Sequence, residues 1–122
     1  METLELKKAI YNYCKGTHGG VTYAELERVF EDIGYDYEGE YSSTDSNDTN
    51  LIFWSGWNKN TFDIINEMVK DNYLKRSPCD MVIYLMDGKV STLPIAHRYP
   101  SGGYKKPHWL PIVFDIGEKE LN

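Results

Sequence analysis

The stretch Trp57–Arg76, WNKNTFDIINEMVKDNYLKR, constrains the fold more than any other part of the chain. Phe62, Ile65, Met68, Val69 and Tyr73 recur with helical spacing, while Asn60, Asp63, Asn66, Glu67, Lys70 and Asp71 fall on the opposite side. That pattern is one apolar face of an amphipathic helix. Asn58 is placed to cap it, with Trp57 and Phe62 on either side of the cap as a hydrophobic staple. A helix with a single apolar stripe must cover it with other elements of the chain.

Two earlier segments supply helices for that purpose. Leu6, Ile10, Tyr13 and Cys14 keep helical spacing over 4–14, with Thr3 as N-cap, Glu5 in the first turn and Gly16 as a stop. Thr22 followed by Glu25 reads as a capping box, and Val21 with Leu26 as its staple. That second helix runs through Leu26, Val29, Phe30 and Ile33 to Gly34.

The remainder reads as strand and loop. Residues 35–50, YDYEGEYSSTDSNDTN, hold five acids, no base and no aliphatic residue. Such a segment buries little, so a long acidic surface loop is expected; alternation in Tyr35, Tyr37 and Tyr41 leaves a distorted hairpin open. Leu51–Trp54 is a short apolar run of the kind that forms a buried strand. Residues 79–86 and 89–93 flank Asp87-Gly88, which predicts a two-residue hairpin of type I′. Residues 97–111 carry Pro100, Gly102-Gly103, Pro107 and Pro111 and predict an irregular segment. Ile112–Ile116 can return as a last strand, with Gly117–Asn122 frayed.

At 122 residues the chain is expected to form one α+β domain spanning 1–122, with the acidic loop at 35–50 and an irregular Pro/Gly-rich extension at 97–122. Net charge is −6, unevenly spread: residues 1–50 hold eleven acids and four bases, residues 51–122 eight acids and nine bases. The start METLELKKAIYNYC lacks the basic and apolar regions of a secretory signal, and no run approaches the roughly 18 apolar residues of a membrane span. A cytoplasmic protein with no membrane partner is therefore expected, with Cys14 and Cys79 as free thiols.

Chemistry-bearing motifs are missing. The glycines at 16, 19 and 20 and at 102–103 lack phosphate-loop spacing, and Ser55 has no nucleophile-elbow context. His18, His97 and His108 are scattered singly, and no two acids share an apolar face. No catalytic residue, metal ligand or cofactor is assigned, and a non-enzymatic role is expected.

The order helix, helix, strand, helix, hairpin over residues 4–93 resembles the winged helix-turn-helix superfamily, with three helices, a β-hairpin wing and a short extra strand. That resemblance implies a third helix in the major groove and a wing on phosphate. Carried over by position, the nucleic-acid-binding residues are Lys59, Asn60, Asn66 and Lys70 on the helix, and Lys75, Arg76 and Lys89 on the wing, with Arg98, Lys105 and Lys106 behind them. Duplex DNA would be the partner of a regulatory protein, bound as a homodimer because one helix reads a half-site. Asp63, Glu67 and Asp71 on the same helix oppose phosphate binding, however. The alternative is an acidic protein-binding module in which Tyr37, Glu38, Glu40, Tyr41 and Asp45 meet a host protein, as a mimic of nucleic acid. The composition also resembles that of small accessory proteins of Gram-positive phages and mobile genetic islands.

Overall fold

In the computed structural model, which describes residues 1–122, helix α1 (Thr3–Gly16) buries Leu6, Ile10, Tyr11 and Cys14. Glu2 rather than Thr3 holds the N-cap position and makes no side-chain cap. Gly16 is the last helical residue; the chain turns away through His18, Gly19 and Gly20, all at positive φ. Val21 then exchanges two backbone hydrogen bonds with Phe114, at 3.0 and 2.8 Å.

Helix α2 (Tyr23–Ile33) starts where its cap predicts. The Thr22 hydroxyl accepts from the Glu25 N–H at 3.0 Å, and Gly34 closes the helix at φ 73°. The capping box is not reciprocal, because the Glu25 carboxylate accepts from the Tyr13 hydroxyl instead. Thr22 also donates to Asp87 Oδ2 at 2.6 Å, which pins residue 87 to the start of α2. Thr22→Ala is therefore expected to cost about 1–2 kcal/mol, the upper part of the usual cap range, and Thr22→Ser much less. Urea unfolding measures the difference; equal midpoints for the two variants would refute the double role.

Between α2 and the third helix the expected acidic loop is largely a strand. Strand β1 (Glu38–Thr44) pairs antiparallel with β2 (Leu51–Trp57), with shifts in register at Glu38/Tyr41, Tyr41/Ser42 and Ser43/Thr44. This is the distorted hairpin that the alternation of Tyr35, Tyr37 and Tyr41 leaves open, although within β1 only Ser43 is buried. Backbone pairing with the apolar β2 selects it, and its irregular register is the bulged geometry common at sheet edges. β2 buries Leu51, Phe53, Trp54 and Trp57.

Helix α3 (Lys59–Lys70) follows directly. The Asn58 side chain accepts from the Thr61 N–H at 2.9 Å, and the Trp57 and Phe62 rings stack at 4.9 Å, so cap and staple both stand as expected. Thr61, Phe62, Ile64, Ile65 and Met68 face the core.

The expected hairpin at 79–93 is not formed. Residues 82–86 make a helical turn, α4 (Val82–Met86), after strand β3 (Leu74–Pro78). Asp80 Oδ1 accepts from the Val82 N–H at 2.9 Å and starts the turn. A type I′ turn needs positive φ at both central residues, and here Gly88 has φ 82° but Asp87 has −82°. Asp-Gly ends a helical turn instead. The ribbon after α3 pairs β3 with a distant partner, β5 (Ile112–Ile116), in antiparallel register from Leu74↔Ile116 to Pro78↔Ile112.

Residues 97–107 are irregular, but the rest of the expected extension is woven into the core. Strand β4 (His108–Trp109) runs parallel to β2, and Trp109, Leu110 and Pro111 are buried. Gly117 and Lys119 are tied back to the end of α3 through Tyr73 and Asn72, at 2.8 and 3.0 Å, so the segment after β5 is fastened rather than frayed. The architecture is mixed α+β: four helices, a three-stranded sheet in the order β1-β2-β4, and a two-stranded sheet β3-β5. Tyr23 sits at the centre, its ring against Trp54, Trp57, Phe62 and Phe114. Cys14 is buried and free, and burial pushes its thiol up to about 12. No helix is long and apolar enough to cross a membrane.

Candidate functional site

The residues expected to hold nucleic acid do not form one surface. Lys59, Asn60 and Lys70 lie exposed on the outer side of α3. The Lys59 ammonium is 2.7 Å from Asp63 Oδ2, and this hydrogen-bonded carboxylate raises its pKa. Asn66 is half-buried and accepts from Arg76 Nη2 at 3.4 Å. Lys75 is exposed on β3, whereas Arg76 is half-buried with its guanidinium 4.6 Å from the centre of the Phe53 ring. Arg98, Lys105 and Lys106 are exposed on the irregular segment.

Lys89 is not on a wing. Its ammonium lies 2.6 Å from Glu27 Oε1, while the other oxygen of that carboxylate accepts from the indole N–H groups of Trp54 and Trp57, at 2.9 and 2.8 Å. Glu27 is 4% exposed. It sits on the apolar side of α2, one turn after Tyr23 and one before Phe30, and joins α2 to β2 and to the loop after α4. A buried carboxylate is tolerated only where its lone pairs find donors, and here an ion pair and two indoles provide them. The sequence carried a signal for this cluster: a Glu at a core position of a capped helix, in a chain whose Trp residues need partners for their N–H.

The acidic residues separate more cleanly. Tyr37 is a core residue, packed against Phe30 and Trp57, and its hydroxyl donates to Glu31 Oε2 at 2.8 Å. Burial raises its pKa above the ordinary tyrosine value. Glu38, Glu40 and Tyr41 are exposed on β1, the outer strand of its sheet. Neither Glu38 nor Glu40 forms an ion pair. Their end of the strand adjoins the start of α3: Glu38 pairs with Trp57, and a Cβ on Gly39 would lie 2.5 Å from the Asn58 Cα. Asp45 lies beyond the other end of the strand, where its carboxylate caps its own turn through the Asn47 N–H at 2.9 Å. A seven-residue strand puts roughly 20 Å between the two ends, so Asp45 belongs to a different surface.

That other surface is a groove of about 1230 Å³. Phe53, Leu74, Leu110 and Ile112 provide apolar lining, and Lys75 and Arg76 line it from β3. No protein-family model, curated protein or solved structure matches the chain.

Proposed function

We propose that the chain is a non-enzymatic protein-binding module on a winged-helix scaffold. The scaffold reading is supported by chain order. Val21, just before α2, bridges to β5, and β5 pairs with β3 after α3. A winged domain uses such a short strand before its second helix to join the ribbon that follows its third. On this reading the β1–β2 hairpin is an insertion between the second and third helices, and residues 79–111 form an enlarged wing.

The observation that carries the functional reading is the charge at the start of α3. When such a helix reads DNA, its N-terminal residues contact base edges. Here Glu38 and Glu40 stand beside that end, and Lys59 is already engaged by Asp63. Duplex affinity comes largely from phosphate neutralisation, and this face adds negative charge instead. The same face suits a basic protein surface, with two unpaired carboxylates for Lys or Arg and the exposed Tyr41 ring as a rigid contact. The likeness in composition to accessory proteins of phages and mobile islands makes a nucleic-acid-binding surface of a host protein the proposed target. Lys70 and Lys75, which form no ion pair, favour the second reading, a homodimer bound to duplex DNA.

Titration with duplex DNA at about 50 and 200 mM salt separates the two, because phosphate binding is strongly salt-dependent. The expected result is no duplex binding at the lower salt. A protein retained from host extract should be released by salt and lost with Glu38→Lys/Glu40→Lys. Duplex binding at low salt that Lys70→Ala and Lys75→Ala weaken would overturn the protein-binding reading.

A further inference from the structure

The groove bounded by β3, β2 and the segment before β5 is lined by a cation that has no carboxylate partner. The Arg76 guanidinium lies over the Phe53 ring and donates one long hydrogen bond, at 3.4 Å, to Asn66. On its inner side it meets the Tyr23 hydroxyl, and no carboxylate pairs with it anywhere in the protein. Half-buried arginines are ordinarily paired, since a guanidinium withdrawn from water needs acceptors. Its place over Phe53 holds the guanidinium at the groove, where its planar fork suits an oxyanion.

Two further buried polar groups stand behind it. The Tyr23 hydroxyl and Ser43 Oγ are buried and make no hydrogen bond of ordinary geometry. The Tyr23 hydroxyl lies close enough to Arg76 for the guanidinium to favour its ionisation against the larger effect of burial, and Ser43 lies within reach of the same hydroxyl. The cationic end of the groove is thus backed by polar groups rather than by a carboxylate.

The acids of the groove do not neutralise this end. Asp48 accepts from the backbone N–H groups of Asn50 and Tyr104, at 3.0 and 2.9 Å, and Asp45 accepts from that of Asn47. Asp45 thus caps its own loop, and Asp48 ties that loop to residue 104. Glu118 lines the groove without forming an ion pair. An apolar part of the lining adjoins Arg76: Leu74, Leu110 and Ile112 are buried, and Ile116 is 40% exposed at one edge. At about 1230 Å³ the space exceeds the roughly 300–1,000 Å³ usual for small-molecule sites.

We propose that this groove binds a small amphiphilic anion, with Arg76 holding a carboxylate or phosphate and the apolar lining covering the ligand's hydrophobic body. Nothing in this assignment depends on the acidic edge of β1 or on the partner it meets.

The test uses the full chain and 1-anilinonaphthalene-8-sulfonate, an apolar body with one oxyanion. Saturable binding of one probe per chain is expected, with displacement by decanoate or octyl phosphate and not by decanol. Whichever anion displaces at the lower concentration identifies the headgroup. Arg76→Gln should weaken probe binding roughly tenfold to a hundredfold, the range for a charge-assisted contact. Ile116→Glu should weaken it comparably while leaving the melting temperature close to that of the unaltered chain, since Ile116 is already partly exposed. Lys106→Gln, outside the groove, should change nothing. The assignment is overturned by the absence of saturable binding, by decanol matching decanoate, by failure of both anions to displace the probe, or by unchanged binding to a folded Arg76→Gln. Should Arg76→Gln not fold, unchanged binding to Ile116→Glu overturns it.

Discussion

Glu27→Ala is expected to destabilise the protein by about 3–5 kcal/mol, from two buried indole donors left without an acceptor, roughly 1–3 kcal/mol each, and from the void beside them. The carboxylate is the acceptor for the Trp54 and Trp57 indoles and for Lys89. Its loss strands two buried N–H donors and opens a void beside them, and both effects act in the same direction. For a chain of this length the melting temperature should fall by roughly 10–20 °C. Glu27→Gln separates charge from shape. An amide keeps an acceptor oxygen for the indoles but cannot pair with Lys89, so a smaller loss of about 1–3 kcal/mol is expected. Lys89→Ala should cost less again, because the lysine is 56% exposed and water screens its pairing. Thermal and urea unfolding of the three variants give the ranking. A Glu27→Ala midpoint within the error of the unaltered chain would show that the cluster does not hold α2 to β2.

The way Glu27 escapes a reading of the sequence illustrates what hydropathy can and cannot convey. Helices α2 and α3 were legible because their boundaries are written in side-chain identity: Thr22 and Asn58 as caps, Gly34 at positive φ, and Trp57 and Phe62 as a staple. The apolar face of α2 was read as Leu26, Val29, Phe30 and Ile33, whereas the buried set is Tyr23, Ala24, Leu26, Glu27 and Phe30. A carboxylate on the core side rotates the apparent face, since periodicity alone counts it as polar and therefore outward.

Strand β1 was legible only as the distorted hairpin that Tyr35, Tyr37 and Tyr41 leave open, for a different reason. Its exposed side chains carry no alternation, and its place is fixed by backbone pairing with β2. The ribbon after α3 was sought in the nearest pair of β-rich runs, but β3 finds its partner across the whole 79–111 segment. Local turn chemistry cannot specify such a pairing, and Asp87-Gly88 serves equally well to end a helical turn. At the candidate sites the residue types were informative and their grouping was not. The order of elements makes Arg76 a phosphate contact on a wing, yet its environment is the Phe53 ring and a groove of mixed lining. Glu38, Glu40 and Tyr41 were grouped with Tyr37 and Asp45, which the fold sends to the core and to the groove.

Gly39→Ala should have the second-largest effect on stability and bears directly on the proposed binding edge. A Cβ at residue 39 would lie 2.5 Å from the Asn58 Cα, 2.6 Å from the Asn58 N and 2.8 Å from the Trp57 carbonyl carbon. All three are backbone atoms, so no side chain can swing away to make room. Either β1 lifts from the start of α3, or the Asn58 cap moves with its bond to Thr61. Overpacking of this kind costs about 1–3 kcal/mol. The position does not require positive φ, so the effect is one of contact rather than of backbone strain. Displacing β1 also moves Glu38 and Glu40 away from the start of α3, so partner capture should weaken together with stability, although both carboxylates remain. Glu40→Gln, at an exposed position without an ion pair, should do the reverse: weaker capture at an unchanged melting temperature. If Gly39→Ala loses stability but retains full capture, the partner reads charge alone. The fixed placement of the acidic edge against α3 would then not be part of recognition.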